Sequence, residues 1–276
     1  LRKSIFKASY QESTGLVTNK QLKLTPEGFQ YMKFRKRIPM PLLVILLMAP
    51  ATYMVGVVMP VAISDGENNF SHVMARYGTV FSNPIKIIII IWIILSLLFL
   101  IQRKNYGVYV IDAFVTFLPF VLSVALAIFD LLFGVSVAGV GLVGSTVLVI
   151  AGVIYIFSAI FNMNQGIKAS MYGTKKKVIP FKWYIFTTVV ALVLTVASSL
   201  IFSPKEFNLL LYVISFGLLI VCALIAFLSE YMIRMFVAFY YFAKYGEQYK
   251  QKFKITDEQW YGPSKAKRLA KKKGKR

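Results

Sequence analysis

The stretch IKIIIIIWIILSLLFLI, Ile85 to Ile101, decides the fold class. It shows no apolar-polar alternation and is far longer than a strand, so it cannot be a segment of a β-barrel. A hydrocarbon core about 30 Å thick takes about 20 apolar residues per helix, and this run is close to that length. Working outward, six such runs appear: Pro41 to Ile63, Pro84 to Ile101, Val108 to Phe129, Ala138 to Phe161, Trp183 to Phe202 and Asn208 to Leu228. The sequence therefore predicts an all-α polytopic membrane protein with six transmembrane helices. It divides into an N-terminal segment (1–38), a transmembrane domain (39–245) and a basic tail (246–276).

Composition agrees. Of 276 residues, 58% are hydrophobic and 16% charged, whereas soluble domains carry about 45–50% and about 25%. The connections are short, which leaves no room for a separate soluble domain. The chain opens on Leu1 and its first methionine is Met32, consistent with a fragment or a non-standard start codon. About 40 residues precede the first apolar run, so that run is expected to be retained rather than cleaved as a signal peptide.

Orientation follows from charge. Of the 32 Lys and Arg, 29 fall on one face: residues 1–38, the Arg103–Lys104 loop, residues 162–182 and the tail. The other face holds Arg76, Lys86 and Lys205 beside Asp65, Glu67, Asp130 and Glu206. Positive charge marks the cytoplasmic side, so both termini are expected in the cytoplasm of a cell with the protein in its plasma membrane. An even number of spans requires the same sidedness. The external connections are small: Ser64 to Asn83, a Gly-rich turn near Asp130 to Val137, and Ser203 to Phe207.

Local punctuation refines the helix ends. Asn83-Pro84 and Ser203-Pro204 resemble N-cap plus N1 proline pairs, and Ser203 with Glu206 fits a capping box. From Leu218 to Tyr245 no Pro or Gly intervenes, which predicts a long sixth helix from Pro204 to Tyr245, reaching the cytoplasmic interface. Pro50 and Pro119 inside spans 1 and 3 are expected to kink their helices. Tyr106-Gly107, Tyr172-Gly173 and Tyr245-Gly246 are each expected to end a helix on a C′ glycine. Their spacing suggests three helical hairpins, with convergent punctuation as the favoured reading over a true repeat.

Few residues offer chemistry. Ionisable groups within spans are costly and so become candidates: Asp112 and Asp130 near the two ends of span 3, and Glu230 with Arg234, four apart on one helix face and able to pair. Ala138, Ser145, Gly152 and Ala159 recur every seven residues with Gly141 alongside, marking span 4 as the close-packing helix. Tyr231 to Phe253 holds nine aromatic residues among lysines, the composition of an interfacial helix. The tail KAKRLAKKKGKR supplies Lys265, Lys267, Arg268, Lys271, Lys272, Lys273, Lys275 and Arg276. It is expected to be disordered in isolation and to bind anionic lipid or ribosomal RNA. Basic clusters at Lys33 to Arg37 and Lys175 to Lys177 are sufficiently explained as topology determinants.

Absences narrow the function. With one Cys (Cys222) and one His (His72), no disulfide within the chain, cysteine metal cluster or catalytic triad is available. No P-loop or HExxH motif occurs. Neither an enzyme nor a bound cofactor is expected, and any ATP dependence requires a separate ATPase or another membrane subunit. The acidic-alanine loop of importer permeases is missing. The leading expectation is a transporter or the permease-like subunit of a transport complex, in contact with the lipid bilayer and anionic lipids. The alternative is a scaffold or biogenesis factor whose tail recruits the ribosome or cytoplasmic proteins.

Overall fold

The computed structural model describes residues 4–18, 22, 24–30, 38–101, 105–175, 177–202 and 209–273. Every regular element among them is helical. In chain order these are α1 (Tyr10–Ser13), α2 (Pro26–Gln30), α3 (Pro39–Tyr53), a π turn (Met54–Val58) and α4 (Met59–Ser64). Next come α5 (Asn69–Tyr77), α6 (Ser82–Ile101), α7 (Tyr106–Tyr172), α8 (Phe181–Phe202), α9 (Leu209–Ser215) and α10 (Gly217–Lys244). Three short helices close the chain: α11 (Gly246–Lys252), α12 (Asp257–Tyr261) and α13 (Pro263–Lys273).

Five helices are long and apolar enough to cross a membrane: Pro41–Ser64, Ser82–Leu100, Tyr106–Tyr172, Phe181–Ile201 and Leu209–Lys244. Their outer faces remain apolar, with Leu46, Phe157, Leu200 and Phe227 between 69% and 83% exposed. Water would not tolerate such a surface and lipid requires it. The architecture is that of an integral, multi-pass membrane protein.

The helix α7 spans 67 residues, about 100 Å at 1.5 Å per residue, far beyond any bilayer. It is not straight. Gly141 has φ 75° and ψ 170°, a region that essentially only glycine enters, and there the chain reverses. The Ser136 and Ser145 hydroxyls lie 2.8 Å apart, although nine residues of continuous helix would separate them by about 13 Å. Residues 106–140 and 142–172 thus form two arms of a hairpin. The Gly-rich turn expected at Asp130 to Val137 is helical instead, and the reversal comes later, where the backbone needs a residue without Cβ.

The arms organise three cores. The first arm packs with α3 and α6 through Ala49, Val57, Ile85, Ile89, Trp92 and Ala127. The second arm packs with α8 and α10 through Leu148, Tyr155, Ala159, Ala191, Leu218 and Ala226. Both arms reach a third, aromatic core at the end where the N-terminal segment and α10–α12 gather. Because this end holds the lysine-rich segments, it is termed the basic end. At the opposite end α5 presses on the first arm so closely that a Cβ on Gly134 would stand 2.6 Å from the Gly78 Cα.

Several expected helix ends differ. Tyr106-Gly107 opens α7 rather than closing a helix, because the Asn105 side chain accepts the Val108 N–H at 2.9 Å and acts as N-cap. Tyr172-Gly173 behaves as expected, with Gly173 left-handed at φ 65°. Tyr245-Gly246 is a junction between α10 and α11, not a left-handed stop. The helix α6 begins at Ser82, one residue before the anticipated Asn83 cap. Pro50 is followed by the π turn, a common response to a missing helical N–H. Pro119 is carried inside α7. The sixth helix is interrupted at Phe216 before continuing to Lys244. The Ser203–Glu206 capping box, Arg103, Lys104, Lys205 and the Lys33–Arg37 cluster lie outside the described residues.

Candidate functional site

The basic end is built by tyrosines. Tyr241 donates its hydroxyl to the Ile5 carbonyl and accepts the Ala8 N–H, both at 2.8 Å. Tyr245 donates to the Ala8 carbonyl and Tyr172 to the Ser4 carbonyl, each at 2.8 Å. Tyr249 and Ser13 share a hydroxyl pair at 2.7 Å. Tyr241, Phe242 and Tyr249 are fully buried. Apart from exposed Tyr231, the rings of the aromatic run pack into this core, and several of its hydroxyls hold the N-terminal backbone. Each such bond contributes about 0.5–1.5 kcal/mol net. Burial pushes the Tyr249 hydroxyl up to about 12.

Trp260 fastens the tail to this core. It is fully buried and stands edge-on to Phe242 at 5.4 Å. Its slot depends on two glycines: a Cβ at Gly107 would lie 3.1 Å from the indole, and one at Gly246 would lie 2.9 Å from it. A Thr256–Gln259 capping box starts α12, and Lys250 pairs with Asp257. Tyr261 donates to Glu247 at 2.6 Å, a bond that, with burial, raises its pKa to about 12. Gly262 at φ 80° then turns the chain into α13.

Within the folded chain the basic tail is helical as far as Lys273. On α13, Ala266 and Leu269 are half-buried and Lys265, Lys267, Arg268, Lys271 and Lys272 exposed. Lys265 lies over the Tyr261 ring at 5.0 Å. Lys273 ends the helix, whereas Lys275 and Arg276 lie outside the described residues. The product is an amphipathic basic helix held to a folded base.

The intramembrane candidates separate. Asp130 is fully buried. One carboxylate oxygen accepts the Phe81 N–H at 3.0 Å, just before α6, and the other has no partner among the described residues. Asp112 is half-buried near the start of the first arm and takes part in an interaction there. Glu230 and Arg234 share α10, but no ion pair between them occurs among the described residues; Arg234 is exposed and Glu230 half-buried. The small-residue set is divided by the hairpin. Half-buried Ala138 lies on the first arm and Gly141 is the reversal, while buried Ser145, Gly152 and Ala159 lie on the second arm. Gly152 packs directly on Cys222 of α10, leaving no space for a Cβ.

Sequence reasoning missed Asn162. Its amide accepts the Ile179 N–H at 2.7 Å and donates to the Ile179 carbonyl and the Tyr184 hydroxyl, both at 3.3 Å. Nearby, the Tyr155 hydroxyl meets Thr188 and the Tyr184 carbonyl. The signal was available as uncharged polar residues in apolar runs, but attention to ionisable groups passed over it. In comparisons with known proteins, no family model, no curated protein and no solved structure matches the chain.

Proposed function

We propose that the protein is a six-span plasma-membrane protein with both termini cytoplasmic, which holds a rigid basic helix at the membrane surface as a docking site for polyanionic surfaces. The observation that carries this is that α13 follows directly on α12, which buried Trp260 anchors to the aromatic core. A tail that served only to fix topology would need charge alone, without an indole slot formed by two glycines. The nearest polyanion is the anionic leaflet beside the helix; ribosomal RNA is the second candidate. Counting the hairpin of α7 as two crossings gives six spans, and the positive charge at the basic end supports its cytoplasmic placement.

The test measures binding of the full chain and of a chain lacking residues 263–276. Targets are vesicles with and without phosphatidylglycerol, and purified ribosomes, over a salt series. The expected result is salt-sensitive binding to one of these targets that is lost with the deletion. For RNA the logarithmic salt slope falls by about 0.7–0.9 for each cation removed. Binding unchanged by the deletion refutes the proposal.

A second reading, transport or membership in a transport complex, is favoured by Asp130. A buried carboxylate within a span, with one oxygen unpartnered among the described residues, suits a proton or cation path. It requires that Asp130→Asn abolish ion flux in proteoliposomes, or that an ATPase co-purify in a salt-resistant complex. Flux that survives Asp130→Asn, with no such partner, removes it.

A further inference from the structure

The corner where the second arm meets the start of α8 contains a groove of about 490 Å³. This lies within the range of about 300–1,000 Å³ typical of small-molecule sites. Its walls are Ile154, Phe157, Ser158, Ile179, Pro180 and Trp183. Phe157 is 69% and Trp183 45% exposed, so the groove opens on the surface that faces lipid. It is preformed: Asn162 fixes both the N–H and the carbonyl of Ile179. In the same connection, exposed Lys175 and Lys177 precede Ile179 in the chain, and exposed Lys182 is next to Trp183 on the first turn of α8. The acid acting on this corner is Glu230, through Tyr184; one acid against three lysines leaves an excess of two positive charges. The start of α8 adds the positive end of a helix dipole.

We propose that this corner binds one anionic phospholipid of the surrounding membrane. An acyl chain fills the groove, and the phosphate sits against Lys175, Lys177 and Lys182. An apolar slot open to lipid suits a hydrocarbon chain, and lysines close in the chain to its wall residues, one beside an interfacial tryptophan, suit the phosphate at the level of the headgroups. The second role for these lysines extends their use as topology determinants. The site lies on the bundle and is independent of the docking role of α13.

The experiment places the full chain in phosphatidylcholine vesicles containing a trace of phosphatidylglycerol with a photoactivatable acyl chain, or phosphatidylcholine with the same chain. Crosslinked peptides are mapped after irradiation. A lysine near an anionic headgroup favours it about fivefold, so the excess of two favours phosphatidylglycerol by a factor on the order of 25. The expected result is that preference on peptides covering 154–158 and 179–183, falling to near unity in Lys175→Gln/Lys177→Gln/Lys182→Gln. Ser158→Phe, which fills the groove, is expected to remove labelling by both lipids; if that variant does not fold, the lysine variant still decides. Neutralising Lys265, Lys267, Lys271 and Lys272 is expected to leave labelling of the corner intact. Equal labelling by the two lipids overturns the proposal. So does labelling spread evenly over the outer faces, labelling unchanged by the three lysine substitutions, or labelling lost with the α13 lysines.

Discussion

Gly141→Ala is the sharpest probe of the hairpin that organises the bundle. At φ 75° and ψ 170° a Cβ meets its own backbone, which costs about 1–3 kcal/mol if the turn is kept. If the turn opens, the Ser136–Ser145 contact at 2.8 Å and the joint packing of both arms at the basic end are lost as well. A central value of about 2 kcal/mol shifts the unfolding equilibrium about 30-fold. Gly217→Ala is the matched control. The nearest atoms to its added methyl are Leu132 methyls at 3.8 Å, and at the first position of α10 the change is expected to alter stability by less than about 1 kcal/mol. The assay is unfolding by dodecyl sulfate in lipid–detergent micelles, followed by tryptophan fluorescence, with wild type and both variants in parallel. A second readout uses Ser136→Cys/Ser145→Cys in a Cys222→Ala background, where the hairpin predicts a ready disulfide. Equal midpoints for the two alanine variants, together with no crosslink, would refute the reasoning.

Other perturbations follow from the basic end. Trp260→Ala empties a fully buried slot and is expected to cost about 3–5 kcal/mol locally, visible as proteolysis of residues 263–273 with the bundle still folded. Tyr241→Phe removes the partner of the buried Ala8 N–H and is expected to cost about 1–3 kcal/mol, seen as faster hydrogen exchange across residues 5–8. Tyr249 and Tyr261 have folded pKa values raised from 10 to about 12. Their neutral form is therefore favoured by folding, and the stability is fully present below pH 10 and lost as pH rises through about 12. Tyrosinate absorbance should accordingly report release of α11–α13 in that window. Asp130→Asn keeps an acceptor for the Phe81 N–H and should leave thermal stability within about 1 kcal/mol, whereas Asp130→Ala orphans that N–H and should cost about 1–3 kcal/mol.

The membrane class was legible because uniform apolar runs state their solvent directly; Ile85 to Ile101 needs no tertiary context to be read as a helix in lipid. The reversal was less legible. Seven-residue spacing of Ala138, Ser145, Gly152 and Ala159 read as one helix face, but φ at Gly141 is set by the packing of two arms, and spacing carries no dihedral. Tyr106-Gly107 failed for a related reason. A tyrosine and a glycine can close a helix, yet Asn105 one position earlier supplies a cap, and the glycine serves the indole of Trp260 from a distant part of the chain. The ionisable candidates can be named from sequence, but burial distinguishes them only in three dimensions: Asp130 is enclosed against the start of α6 while Arg234 remains exposed.

The tyrosines of α10 and α11 show how composition can be right about chemistry and leave the partner open. A ring with a hydroxyl suits any boundary with one apolar and one polar side, and a headgroup layer is only the commonest such boundary in a membrane protein. Here the polar side is the backbone of residues 4–8. Gly107 begins the first arm and Gly246 follows α10, and both walls of the Trp260 slot therefore belong to elements continuous with the bundle. Sliding the first arm against α10 would close or open that slot. Any surface that binds α13 in its docked position thereby favours the packing of those two helices that admits the indole. By linkage, a ligand that changed this packing would change the affinity of α13 by the same factor. The docking reading and the transport reading thus meet at one residue. Trp260→Ala separates them, because it frees the basic helix while leaving Asp130, at the far end of the same arm, in place.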